Sequence, residues 1–289
     1  MTLNAQERID IAQLVFYGPA GLVAIYCCFK HGFGRSLGFF YLILLATIRI
    51  VSDAITIYTQ TASNASQTLI ITGLVLSNVG TSPLLNALIA LVKRVNEGMR
   101  QRRLPIILFR VMEAVTYGAI VLIAYGGSVT FDQQGSSKYN IGITLQKTGI
   151  CIIIVNFVAI AVASLITLYN VRHAIPEDRR IAFFTTASLP FLLVRLIYSC
   201  IIIFSIGKST IFNPLQQNVW AEVFMAVTEE FITVILFLAA GILTPRVHRT
   251  AVEGPGTGSV SWPTGPKAVD VQTLDRYDVN PSYPPSHGD

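Results

Sequence analysis

The chain is poor in charge. Only 13% of its 289 residues are Asp, Glu, Lys or Arg, while 52% are hydrophobic. A soluble domain carries about 25% charged residues, so this composition points to a polytopic membrane protein. Cysteine is scarce too. Cys27, Cys28, Cys151 and Cys200 all lie within apolar runs, which excludes a disulfide framework and zinc-ligand spacing. Cys27 and Cys28 are read as small lipophilic fillers rather than palmitoylation sites. Several motifs are missing. The last apolar segment has no lysine for a retinal Schiff base. The third ends in "LVKRVNEG" without Asp-Arg-Tyr, and the Asn213-Pro214 pair precedes the seventh segment instead of ending it. No D-D-x-x-D run, P-loop, H-E-x-x-H or G-x-S-x-G occurs, which removes the usual magnesium-diphosphate, nucleotide, zinc-protease and serine-hydrolase readings. No metal and no cofactor is expected.

What the sequence does have is seven apolar segments of membrane-spanning length. They are placed at 10–29, 38–58, 68–92, 104–126, 142–169, 181–206 and 219–243. The fifth is long enough to extend beyond the hydrocarbon at one end. The expected fold is an all-α seven-helix transmembrane domain over residues 1–250. Residues 251–289, rich in Gly, Pro and Ser without apolar periodicity, read as a disordered tail. Only Arg8 precedes the long first run, so no cleavable signal peptide is expected.

Charge sets the expected orientation. Lys30, Arg35, Lys93, Arg94, Arg100, Arg102, Arg103, Arg172, Arg179, Arg180, Arg246 and Arg249 fall on one side, and Arg8, Lys138, Lys208 and Lys147 fall on or near the other. By the positive-inside bias, the N-terminus is extracellular or lumenal and the C-terminus cytosolic. The net charge of +5 thus reflects topology, and no nucleic-acid partner is expected. The multi-pass protein belongs in the endoplasmic reticulum or plasma membrane. Asn64-Ala65-Ser66 is a candidate glycosylation sequon in a lumenal loop, whereas Asn280-Pro281-Ser282 is ruled out by its proline.

Charges inside the spans are the candidate functional residues. An arginine at a helix centre costs about 3 kcal/mol on insertion scales, so it needs an offset. Segment two carries Arg49 and Asp53, segment four Arg110 and Glu113, segment six Arg195, and segment seven Glu222, Glu229 and Glu230. Arg49 and Asp53 are i,i+4 and can pair within one helix, as can Arg110 and Glu113 at i,i+3. Arg195 has no acid in its own helix. Depth along the helices puts it level with Arg49, Glu229 and Glu230 near the midplane, so Arg195 is expected to pair with Glu229 or Glu230. Those two adjacent side chains diverge by about 100° and do not serve one point unless they sit at a helix seam. Counted over all helices, five acids face three arginines. A surplus carboxylic acid in an apolar cavity is a proton donor. Pro190 frees a carbonyl one turn back and is expected to bend its helix.

Asn78, Ser82 and Asn86, with Pro83 among them, form one polar stripe at i, i+4 and i+8. Asn78, Asn86, Tyr117 and Tyr198 are the candidate substrate-binding residues, and Tyr26, Phe191, Phe224 and Phe231 are further pocket candidates. Asn156 is expected to be structural.

"KHGFGRSLGF" (30–39), "SPLLNALIALVKRV" (82–95), "SLPFLLVRLIYS" (188–199) and "VTEEF" (227–231) resemble a fungal family of seven-helix integral membrane proteins. That family in turn looks related to membrane-bound terpene cyclases of meroterpenoid pathways. The resemblance implies proton-initiated cyclisation of a prenylated, lipophilic substrate that carries an epoxide or alkene and enters from the bilayer. The resemblance transfers no catalytic residue. From the charges alone, Glu229 or Glu230 is the candidate acid, Arg195 and Arg49 position it, and Asp53 is the alternative acid. Aromatic faces would stabilise the cation. A seven-helix receptor or sensor and a small-molecule or lipid exporter are the competing classes.

Overall fold

The computed structural model describes residues 5–31, 37–62, 66–99, 104–132, 137–171, 176–206, 220 and 223–244. The candidate sequon at Asn64, the acid Glu222 and the tail from 251 lie outside them. The described chain is helical: α1 (Ala5–His31), α2 (Leu37–Thr61), α3 (Gln67–Val79), α4 (Thr81–Gly98), α5 (Ile106–Asp132), α6 (Ser137–Asn170) and α7 (Pro176–Ser205) are followed by a π-helical turn, Val223–Val227, and α8 (Thr228–Leu243). Together they provide seven spans long and apolar enough to cross a membrane, with α3 and α4 sharing the third and the π turn leading into α8 in the seventh. The protein is an all-α, multi-pass integral membrane protein.

The third span differs from the single helix expected over 68–92. It breaks at Gly80 and runs on to Gly98. Pro83 supplies the physical reason. It lacks the N–H that would bond to the Val79 carbonyl, and its ring crowds that carbonyl. The Ser82 hydroxyl donates to the Val79 oxygen instead, at 2.6 Å. The predicted polar stripe is therefore interrupted above Ser82. The Asn78 side chain lies outside the described residues, while Asn86 is fully buried.

This span is the axis of the bundle. Of its apolar window, 75% is buried, against 28–44% in the other six. Residues 82–92 of α4 are buried without interruption because α2, α5, α6 and α7 all pack around the helix. A stretch packed by neighbours on every side, Ser82 and Asn86 included, takes such a central position.

Small residues and hydrogen bonds set the other seams, as expected where lipid leaves little hydrophobic drive for association. α5 and α6 cross so closely that a Cβ on Gly142 would lie 2.8 Å from the Gly126 carbonyl oxygen. Gln146 donates to Thr130 across that seam at 2.9 Å. Further along, Asn156 donates to the Met112 carbonyl and to the Thr116 hydroxyl, so Asn156 joins α6 to α5. At the opposite end of the fold, Lys30 of α1 and Arg180 of α7 donate to the carbonyls of Ile242 and Leu243. Two cations thus cap the last turn of α8, where the helix leaves carbonyls unpaired.

Candidate functional site: a carboxylate shared by four helices

The centre of the bundle is organised on Glu230, in the first turn of α8. Arg49 of α2 grips it with two donors: Nε meets Oε1 at 2.6 Å and Nη2 meets Oε2. Arg195 of α7 places Nη2 at 2.7 Å from the same Oε2. Tyr17 of α1 donates its hydroxyl to Oε1. Four donors therefore fill the roughly four lone-pair sites of one carboxylate. All four residues are at most 5% exposed. Arg195 has found its offset in Glu230, and a second arginine shares it.

Local backbone features hold the arginines in place. Gly80 sits where α3 gives way to α4, and a Cβ there would lie 3.2 Å from Arg49 Nε and 3.3 Å from Cζ. The missing side chain lets the guanidinium pass against the helix break. Arg49 Nη1 also reaches the Ser77 hydroxyl at 3.5 Å, the long limit for such a bond. Arg195 Nη1 donates to the Ala226 carbonyl at 2.9 Å. Ala226 lies in the π turn, where i→i+5 pairing displaces carbonyls from the α-helical ladder. Phe231 stacks on Phe16 with ring centroids 3.9 Å apart, and both rings meet Tyr17 edge-on. The α1–α8 seam beside the carboxylate is thereby lined with aromatic rings.

Arg49 does not take its ion pair from within its own helix, as the i,i+4 spacing suggests; its partner is Glu230 across the bundle. Asp53 is buried one turn along, within electrostatic reach of Arg49. With both acids ionised, Arg49 and Arg195 against Glu230 and Asp53 sum to 2 − 2 = 0. Glu229 separates from its neighbour: it is half-buried, and its Oε2 is shielded yet has no hydrogen-bond partner. The proposed Arg110–Glu113 pair is also replaced. Arg110 is exposed, and Glu113 pairs with Lys93 of α4 at 3.9 Å.

The pocket candidates scatter. Tyr117 is 45% exposed on the outer face of α5 and bonds there to Tyr41, so it does not line an interior site with the midplane acids. Tyr26 and Phe224 are exposed as well. Tyr198 is buried beside Ile202 and Ala226, one turn from Arg195. Phe231 belongs to the aromatic seam, and Phe191 is half-buried on α7. Asn86 Oδ1 is buried without a hydrogen-bond partner. A cavity of about 30 Å³, room for one or two waters, lies among α3 to α7. Its lining includes Val79, Ser82, Leu196 and Ser199 and contains no carboxylate. Among the described residues, no three His, Cys, Asp or Glu side chains are grouped to hold a metal.

Tyr17 is the member that sequence reasoning missed. A signal existed: Tyr17, Arg49, Arg195 and Glu230 each lie within about three residues of the midpoint of their expected spans, at about 1.5 Å per residue. A buried tyrosine hydroxyl at that depth needs a polar partner.

A family model described as a domain of unknown function, DUF7702, matches residues 3–247. The chain belongs to that family. No curated protein matches the chain, and no solved structure does.

Proposed function

We propose that this protein is a seven-helix membrane sensor, in which the Glu230 cluster is the lock between two arrangements of the helices. One observation carries the reading: a single carboxylate joins α8 to α1, α2 and α7. Buried ion pairs are poor sources of net stability but are strongly destabilising when one partner is lost. A ligand or proton that competes for Glu230 therefore acts on three interhelical contacts at once. That is the charge change at a bistable element which a switch requires. Glu230 is also poorly suited to act as a proton donor, because it accepts in every contact it makes. Fluorine NMR tests the reading in nanodiscs, with the label replacing lipid-exposed Phe183 of α7. Glu230→Gln is expected to shift the population to a second resonance that wild type populates weakly. A folded variant with an unchanged spectrum would sink the sensor reading.

One observation favours a second reading, acid-initiated cyclisation of a lipophilic prenyl substrate. Glu229 keeps a shielded carboxyl oxygen without a partner beside the anchored Glu230, which is where a proton donor would sit. In this reading Glu229 is the acid and Glu230, held by Arg49 and Arg195, fixes the start of α8. Feeding farnesylated aromatic epoxides to cells that express the chain distinguishes the two. A new isomer of unchanged mass, lost in Glu229→Gln, supports the cyclase. Unaltered substrate leaves the sensor.

A further inference from the structure

A second polar constellation lies away from Glu230, where α2, α4 and α5 meet. The Lys93 side chain of α4 is 16% exposed, and its one partner among the described residues is Glu113 of α5, at 3.9 Å. An ammonium offers three donors, so most of its capacity is unused in a largely buried place. Tyr117 donates to the Tyr41 hydroxyl at 2.8 Å, bridging α5 to α2, and no acceptor for the Tyr41 proton lies among the described residues. Glu113 and Tyr117 are i,i+4 on α5, so the ion pair and the tyrosine pair stand on successive turns of one helix face. Arg110 is exposed one turn further toward the end of α5. The crevice opens on the outer surface, since Tyr117 and the neighbouring Phe40 are about half exposed.

Depth and charge identify the occupant. Tyr41, Lys93, Arg110 and Glu113 lie within about 10 Å of their helix ends at 1.5 Å per residue, which is the boundary of headgroups and acyl chains. These ends belong to the side marked cytosolic by its basic loops. Lys93 opens the most basic stretch of the sequence, followed by Arg94, Arg100, Arg102 and Arg103 with only Glu97 against them. Basic crevices between helices on that side suit anionic headgroups.

We propose that the crevice between α2, α4 and α5 binds the phosphate headgroup of an anionic phospholipid from the cytosolic leaflet. Lys93 and the Tyr41 hydroxyl donate to the phosphate, and Arg110 contacts its outer edge. The acyl chains run along the exposed apolar face that includes Phe40. Glu113 is the group that opposes the anion. It holds Lys93 in the crevice and weakens binding at the same time.

Native mass spectrometry of the full chain in detergent provides the test. Phosphatidic acid, phosphatidylcholine with the same acyl chains, and glycerol 3-phosphate are titrated separately. Wild type is expected to retain phosphatidic acid over phosphatidylcholine by about fivefold or more, the worth of one basic group near the membrane surface. Lys93→Gln should lose that preference, Lys93→Arg should keep it, and Glu113→Gln should strengthen it. Arg179→Gln, a basic residue exposed on the same side but on α7, should leave it unchanged. Equal retention of the two lipids would overturn the proposal. So would an equal loss in the Arg179 variant, or binding of glycerol 3-phosphate as strong as that of the lipid. Lys93→Arg guards against a folding artefact, because a site that merely packs would not need the charge.

Discussion

The protein places two acid–base groupings between its helices, and they are built in opposite ways. At the midplane, Glu230 is filled by two guanidiniums and a phenol, and every member is buried. Nearer the helix ends, Lys93 and Glu113 stand 3.9 Å apart with 16% and 19% of their side chains exposed. The difference follows from the surroundings. In hydrocarbon an unfilled charge is expensive, so the Glu230 carboxylate is met by four donors, although Arg195 Nε stays buried with no hydrogen-bond partner among the described residues. Arginine suits that place because its planar fork meets a carboxylate with two bonds and keeps its charge. Near the headgroups water and lipid phosphates supply what the protein omits, and a flexible lysine suffices. The deep grouping fixes helices to one another. The shallow one has donors to spare.

The largest expected effect breaks the deep grouping. Glu230→Gln leaves two buried guanidiniums facing a neutral amide and should cost about 3–5 kcal/mol. A large fall in melting temperature in detergent, with lower yield, would register it. Replacing Arg49, Arg195 and Glu230 together by apolar residues of similar volume sharpens the point. Such replacements are often neutral or stabilising. Stability restored in the triple variant, without the Glu230→Gln spectral shift, would assign the cluster to switching rather than to folding strength.

Tyr17→Phe comes next. It removes one donor to a charged acceptor and keeps the ring that meets Phe16 and Phe231, so about 1.5–3 kcal/mol should be lost. Chemical denaturation in mixed micelles would measure it. An effect below that range would mean that Arg49 alone satisfies Oε1.

How much of this could be read beforehand depended on the kind of signal. Seven spans were legible, because about 20 apolar residues in a row have few other uses. That Arg195 needed an acid from another helix was legible too, since none lies in its own. The choice between Glu229 and Glu230 was not. Periodicity fixes their 100° separation but not the rotation of the helix, which Ala226, Phe231 and the π turn set through packing. Arg49 misled because i,i+4 spacing offers Asp53 as a local partner, while the low dielectric rewards the better fork at Glu230. Tyr117 misled because a tyrosine suits an interior pocket and an interfacial surface equally well. Lys93 read as a loop residue because apolar runs end at charges, whereas α4 continues beyond it to Gly98.

Gly80→Ala is expected to cost about 1–3 kcal/mol, as overpacking does. Its Cβ would press on Arg49 Nε at 3.2 Å, and the guanidinium cannot retreat without loosening Glu230. The effect should therefore couple to Arg49: in a double-mutant cycle with Arg49→Met, the alanine should cost far less than it does alone. An additive result would mean that Gly80 serves only the turn between α3 and α4.

The smallest effect should come from the shallow pair. Lys93→Gln and Glu113→Gln are each expected to change stability by less than about 1 kcal/mol, the range of partly solvated ion pairs. Melting temperatures in detergent at low and high salt would check this, because a screened pair contributes little at either. A loss comparable to that of Glu230→Gln would erase the contrast between the two groupings. It would make Lys93 and Glu113 a second lock, joining α4 to α5 as Glu230 joins α8 to its three neighbours. A small loss of stability together with the loss of phosphatidic acid binding would separate the two uses of charge in this membrane domain: one grouping closed on itself, the other left open to the bilayer.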